Sequence, residues 1–259
     1  MARAVRHYIP GYVWHITHRC HKRDFLLKFQ KDRNTWLKWL FQAKKRYGMK
    51  VLNYTVTSNH IHILVHDDNN NQNVISSSIK LAAGCTAQNY NKRKNRKGAF
   101  WEDRYHATAV QHDDHLVQCM LYIDLNMVRA GVVDHPQEWA SNGYNEIMKP
   151  KDRYSIIDHQ SLKRFLSISD GEELRQAYKG WLDTALAESK NGRSGKWTES
   201  IAVGERSFVQ KIKDLLGYRV KGREVHKDGG GYQLKESAVH YGLDEENNRN
   251  THLWDSIYP

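Results

Sequence analysis

The chain has little cysteine. Its three residues of this type, Cys20, Cys85 and Cys119, are odd in number and show no Cys-x-x-Cys spacing. That argues against a disulfide framework or a paired-thiolate zinc site and fits a reduced, cytoplasmic protein. No run approaches the roughly 20 apolar residues that a membrane helix needs, so no membrane role is expected. Met1 to Arg6 is basic, but Pro10, His15 and His18 interrupt the stretch beyond it, which does not read as a signal peptide. A Gly-x-x-x-x-Gly-Lys loop for nucleotide phosphates is absent, as is any internal repeat or heptad.

Acidic residues are scarce in one part only. Residues 1–150 carry 22 Lys and Arg against 12 Asp and Glu, whereas 151–259 carry 18 against 17, so the net charge of +11 divides as +10 and +1. This is the footprint of a phosphate-binding domain, 1–150, followed by a segment with another task, 151–259. With 39% hydrophobic and 27% charged residues over 259 positions, a soluble globular chain with a sizeable core is expected.

The chain then reads as alternating elements. Gly11 to His18 mixes β-branched and aromatic residues and predicts a first strand. His15, His18, Cys20 and His21 lie at its end, but match no paired-ligand spacing and stand among Arg19, Lys22 and Arg23; a loop beside a polyanion suits them better. Trp36, Leu37, Leu40, Phe41 and Tyr47 mark an amphipathic helix over 34–47, stopped by Gly48. Lys50 to Thr57 and His60 to His66 form a hairpin around Ser58-Asn59. After a polar loop, Asp67 to Asn73, a second helix carries Ile75, Ile79, Ala82, Ala83, Thr86 and Tyr90, and Tyr105 to Gln111 makes a fourth strand. Strand, helix, strand, strand, helix, strand is the split βαβ, ferredoxin-like order of an α+β fold, an antiparallel sheet backed by two helices.

Three features carry chemistry. In the strand His60-Ile-His-Ile-Leu-Val-His66, Ile61, Ile63 and Val65 face one way and His60, His62, Leu64 and His66 the other. Two histidines at i and i+2 suit one divalent metal, though a strand with partly exposed histidines fits the spacing equally. The run Asn91 to Gly98 holds five cations, Lys92, Arg93, Lys94, Arg96 and Lys97, and no acid. It reads either as a solvated loop or, with Tyr90, Phe100 and Trp101 beside it, as cations for phosphates and rings for unpaired bases. A further helix runs from a cap at Asp113 to Gly131 with Val117, Met120, Leu121 and Val128 as its apolar stripe. Tyr122 and Asn126 lie one turn apart, opposite that stripe, as functional residues or as a surface pair.

The segments Thr57-Ser-Asn-His-Ile-His-Ile-Leu-Val65, Phe100-Trp-Glu-Asp-Arg-Tyr-His106 and Tyr122-Ile-Asp-Leu-Asn-Met-Val-Arg-Ala-Gly131 together resemble the one-tyrosine HUH transposase superfamily, and within it the REP-associated tyrosine transposases of bacteria. The last segment is similar to the signature Tyr-Ile-x-Leu-Asn-Pro-Val-Arg-Ala-Gly, with Met127 where proline is usual, a change that bears on local helix geometry. The likeness runs from about Tyr12 to Tyr144. It implies the HUH nuclease fold, His60, His62 and Asn126 as ligands of Mg²⁺ or Mn²⁺, and Tyr122 as the nucleophile. The implied function is metal-dependent cleavage and rejoining of single-stranded DNA at hairpins of repeated extragenic palindromes, through a 5′-phosphotyrosine. The alternatives are a hairpin-binding protein that does not cut, and a replication or conjugation initiator nuclease.

Arg3, Arg6, Lys92, Arg93, Lys94, Arg96, Lys97 and Arg104 are the candidate DNA contacts, chosen on charge. A monomer in the bacterial cytoplasm, near the nucleoid, is expected, with a dimer that exchanges the tyrosine helix as the alternative. Beyond 150 the pattern predicts a mainly helical extension: Gly171 to Leu186, a polar linker at Ser189 to Gly195, Phe208 to Leu216, a joint at Gly229-Gly-Gly231 and a last helix over Leu234 to Tyr241. Covering the active site or touching DNA is its expected role.

Overall fold

The computed structural model describes residues 9–68, 73–188 and 195–236. Arg3, Arg6, most of the polar linker and the end of the last expected helix lie outside them. The elements run β1 (Val13–Arg19), α1 (Gln30–Tyr47), β2 (Lys50–Val56), β3 (His60–His66), α2 (Val74–Arg93) and β4 (His106–Val110). They continue as α3 (Asp114–Asp124), α4 (Asn126–Arg129), α5 (Tyr144–Met148), α6 (His159–Phe165) and α7 (Gly171–Ala187). The chain ends in α8 (Lys196–Glu199), β5 (Ala202–Gly204), α9 (Arg206–Leu216), β6 (Arg223–Asp228) and β7 (Gly231–Glu236).

The first four strands form the expected split βαβ sheet. The full order is β2-β3-β1-β4-β5-β7-β6, antiparallel throughout except for the β4 to β5 pair. Local sequence explains the helices: α1 ends where Gly48 adopts φ 78°, the left-handed turn that glycine takes without penalty. Asp170 caps α7 by accepting from the backbone N–H groups of Glu172 and Glu173. On one face of the sheet Trp14, Ile16, Ile61, Ile63 and Tyr54 are buried in the core with Trp36 and Leu40 of α1 and Ile75 and Ile79 of α2. Among the described residues no helix is long and apolar enough to cross a membrane.

The extension is helical in α6, α7, α8 and α9 as expected, and it also adds three strands to the same sheet. The helix expected from Leu234 is strand β7 as far as Glu236, because Leu234 and Gln233 pair with β5 on one side and β6 on the other. Gly229 to Gly231 is the tight turn of that hairpin, with Gly229 at φ 53°. The helix expected from Asp113 to Gly131 is interrupted at Leu125, which separates α3 from α4. Asp113 stands at the cap position of α3 without a side-chain cap bond; its carboxylate accepts from His112 Nδ1 at 2.6 Å instead.

Candidate active site

The second face of the sheet is polar where the strands cross. Register places Thr17 of β1 between His62 of β3 and His106 of β4, with Thr55 of β2 beyond His62. The neighbouring row holds His15 between Leu64 and Thr108. α3 lies over this face, tied by Asn53 Nδ2, which donates to the Met120 carbonyl at 3.3 Å. Tyr122 therefore points at the sheet: its ring centroid is 5.7 Å from that of His62 and 6.1 Å from that of His15. This corrects the placement of Tyr122 away from the core. The floor below it is made of imidazoles, and of the expected stripe only Met120 is buried, Val117, Leu121 and Val128 being partly exposed. Leu116, Cys119, Met120 and Ile123 are the residues of α3 that join the core, with Tyr122 buried beside them.

His60 and His62 stand side by side, ring centroids 4.8 Å apart. His60 Nδ1 lies 2.7 Å from Asn59 Oδ1 and 2.9 Å from Thr57 Oγ1. Asn59 is itself oriented by donating Nδ2 to the Arg23 carbonyl at 3.1 Å, so its oxygen must accept and His60 Nδ1 must carry the proton. Nε2 is then the lone-pair nitrogen of His60. Asn126 brings its side-chain amide to 3.1 Å from His62 Nε2. Burial holds the His62 pKa well below the ordinary histidine value, with His60, His15, Arg129 and Arg19 adding to the effect, so the ring is neutral at pH 7.

Among the described residues no group of three or more His, Cys, Asp or Glu is placed to hold a metal. The donor set that is present, two imidazoles and one amide, fits a divalent cation that keeps positions open for phosphate oxygens and water. Sequence reasoning named all three of these residues and Tyr122. It did not find Arg129 or Trp197, and it placed His15 and His18 in a loop beside a polyanion, whereas both are buried within β1. Arg129 donates Nη2 to the Tyr122 carbonyl at 2.5 Å and sets its guanidinium 4.4 Å from the centre of the tyrosine ring. Trp197, from the extension, lies 6.2 Å from the same ring. Arg129 had a signal, since it stands within the motif that begins at Tyr122.

His60, His62, Tyr122, Asn126 and Arg129 line a cleft of about 890 Å³. Four arginines, Arg19, Arg23, Arg104 and Arg129, share its walls with Glu102, Asp103 and Glu199. Of the residues proposed for DNA contact, Arg104 lines the cleft, while Lys92 and Lys97 are exposed at and beyond the end of α2. Lys94 Nζ rests 5.7 Å from the centre of the Phe29 ring, and Arg96 donates to Asn91 Oδ1 and the Ala99 carbonyl. Arg93 is paired with the buried carboxylate of Asp32. The rings beside this run are not open stacking surfaces. Cys20 bridges to Trp101 in β fashion, drawing the segment inward, so Phe100 is buried with Tyr90 packed on its edge, and Trp101 stacks on His18. The exposed rings on this side of the sheet are Phe25 and Phe29.

The family model described as IS200-like transposases matches residues 9–126. A solved REP-associated tyrosine transposase bound to a REP hairpin is 18% identical, with a TM-score of 0.48 over 58% of this chain and 87% of the other. A proposed transposase from Deinococcus radiodurans R1 is 16% identical, with a TM-score of 0.32 over 40% of this chain and 82% of the other. None of the curated proteins compared matches. The matched segment contains β1 to β4 and α3, with His60, His62, Tyr122 and Asn126 all inside it. The similarity to IS200-like transposases thus covers 118 of the 259 residues, from β1 through α3 to Asn126, the first residue of α4.

Proposed function

We propose that this protein is a metal-dependent single-strand DNA nuclease and strand transferase acting on hairpins of REP-like palindromes, with Tyr122 as nucleophile. One observation carries the reading: Tyr122 and Asn126 converge on His62 and its neighbour His60 inside one arginine-lined cleft. His60, His62 and Asn126 would hold a divalent cation, which when bound would supply Lewis-acid polarisation of the scissile phosphate. The chain's own groups do the rest. Arg19, Arg23 and Arg104 draw the phosphate backbone into the cleft. Arg129 holds Tyr122 by its carbonyl and sets a positive charge against its ring, where the attacking oxygen gathers negative charge.

Tyr122 Oη forms a bond to phosphorus, the bond from phosphorus to the 3′-oxygen breaks, and the phenolic proton ends on that 3′-oxygen. The products are a 5′-phosphotyrosine and a free 3′-hydroxyl. A second 3′-hydroxyl reverses the same steps and joins a new strand, so the energy of the phosphodiester is kept and no nucleotide hydrolysis is needed. Residues 1–150 form the nuclease region in this reading, and 151–259 an extension that walls the cleft through Gly195, Thr198 and Glu199.

The test is a denaturing gel of labelled single-stranded palindromes from beside the gene, incubated with Mg²⁺ or Mn²⁺. A protein-DNA adduct is expected, absent with Tyr122→Phe and with EDTA. Hairpin binding with no adduct under either metal would replace this reading with that of a hairpin-binding protein that does not cut.

A further inference from the structure

His15 is fully buried under Tyr122, in the row next to His62, and the mechanism above gives it no task. Its ring lies 5.1 Å from that of His62 and nearly parallel to it, at 7°. Each of its nitrogens has one partner. Nδ1 is 2.9 Å from the backbone carbonyl of Trp197, and Nε2 is 3.0 Å from His62 Nδ1.

These two contacts leave little choice of proton position. A carbonyl oxygen only accepts, so His15 Nδ1 must carry the hydrogen. A neutral imidazole has one N–H, so His15 Nε2 is an acceptor and His62 Nδ1 must donate to it. His62 Nε2 is then the lone-pair nitrogen, and it is the one that faces Asn126. His60 reaches the same tautomer through Asn59 and Thr57. Both rings thereby offer Nε2 to the same space, which is what a shared metal requires.

We infer that His15 is a positioning residue for the metal centre, and that the Trp197 carbonyl of the C-terminal extension sets, through His15, which nitrogen of His62 is available to a metal. The inference rests on the metal site proposed above. It assigns the extension a part in the chemistry beyond walling the cleft, because Trp197 lies 71 positions past the last residue matched by the family model, Asn126.

The experiment uses full-length protein without an affinity tag. Two-bond ¹H–¹⁵N correlation spectra of the metal-free protein report the tautomer of each ring, and Mn²⁺ titration followed by electron paramagnetic resonance reports affinity. His15 and His62 are expected as Nδ1–H tautomers. His15→Phe keeps the ring and its packing but removes the acceptor, and should weaken Mn²⁺ binding about 10- to 100-fold, the usual effect of losing an outer partner of a ligand. His15→Gln places an amide oxygen toward His62 and should restore most of the affinity. His62 found as the Nε2–H tautomer in the wild type overturns the inference even if His15→Phe fails to fold. So does wild-type affinity in His15→Phe when His62→Ala has lost binding. Affinity unchanged by His62→Ala would instead remove the metal site itself, and this inference with it.

Discussion

Replacing Tyr178 by phenylalanine removes a single oxygen from α7 and asks how firmly the extension holds the helix that carries Tyr122. Tyr178 is fully buried and donates its hydroxyl to Asp124, the residue that ends α3 between Tyr122 and Asn126. Burial pushes the Asp124 carboxyl up from 3.8 to about 7, against the lowering effect of the Tyr178 hydrogen bond. A folded-state value above the unfolded one means that Asp124 favours folding most at acid pH, and that this contribution is lost as pH rises from 3.8 to about 7. Above that range the carboxylate is charged and leans on Tyr178. Losing a hydrogen bond to a charged group costs about 1.5–3 kcal/mol, against about 0.5–1.5 kcal/mol when both partners are neutral. At about 2–4 °C of Tm per kcal/mol for a chain of this size, Tyr178→Phe should melt about 3–12 °C lower at pH 8.5 and about 1–6 °C lower at pH 5. Calorimetry of wild type and variant at both pH values is the assay, and the loss at pH 8.5 should be roughly twice that at pH 5 or more. An equal loss at the two pH values, or a larger one in acid, would refute the role given to this pair.

Three further outcomes are expected from the structure. Arg93→Ala strips the partner from buried Asp32 and should cost about 1–3 kcal/mol in urea unfolding, whereas Lys97→Ala should leave stability alone and lower the salt slope of hairpin binding by about one. The reverse pattern would show that Arg93, not Lys97, is the phosphate contact. Buried Glu146 accepts from the backbone N–H groups of Ile156 and Ile157 and from the hydroxyls of Ser155 and Tyr54. Glu146→Ala should therefore cost about 3–5 kcal/mol, and Glu146→Gln, which keeps the accepting oxygen, much less, as read by chemical denaturation. In thiol labelling of the native protein only Cys85 should react quickly, because Cys20 and Cys119 are buried and Cys20 is pushed up to about 12; rapid loss of two or three thiols would contradict that burial.

What could be read from the sequence was what neighbouring residues decide. The alternation of His60, Ile61, His62 and Ile63 places the metal candidates on one side of β3 without any knowledge of the sheet. The spacing of Trp36, Leu40 and Ala43 on α1 works in the same way. The elements that escaped depend on partners far along the chain. Arg93 looked like a free cation because Asp32 is 61 residues away. The strand Arg223-Glu-Val-His-Lys-Asp228 has too many charges to show a strand pattern, and forms because β7 offers it a place at the sheet edge. Tyr122 was turned the wrong way for a different reason. The stripe of α3 that enters the core is Leu116, Cys119, Met120 and Ile123, rotated from the expected Val117, Met120, Leu121 and Val128, and that rotation carries Tyr122 to the sheet.

The bond between His15 and the Trp197 carbonyl spans 182 residues of chain. A ribosome adding about 5–20 residues per second needs roughly 10–40 s to cover that distance, and longer before the second residue clears the exit tunnel. Over the last 75 of those residues, about 4–15 s at the same rate, the nascent protein already carries His60, His62 and Tyr122 while the Trp197 carbonyl has yet to be made. The proton position inferred for His62 thus waits on a residue that is made well after Tyr122.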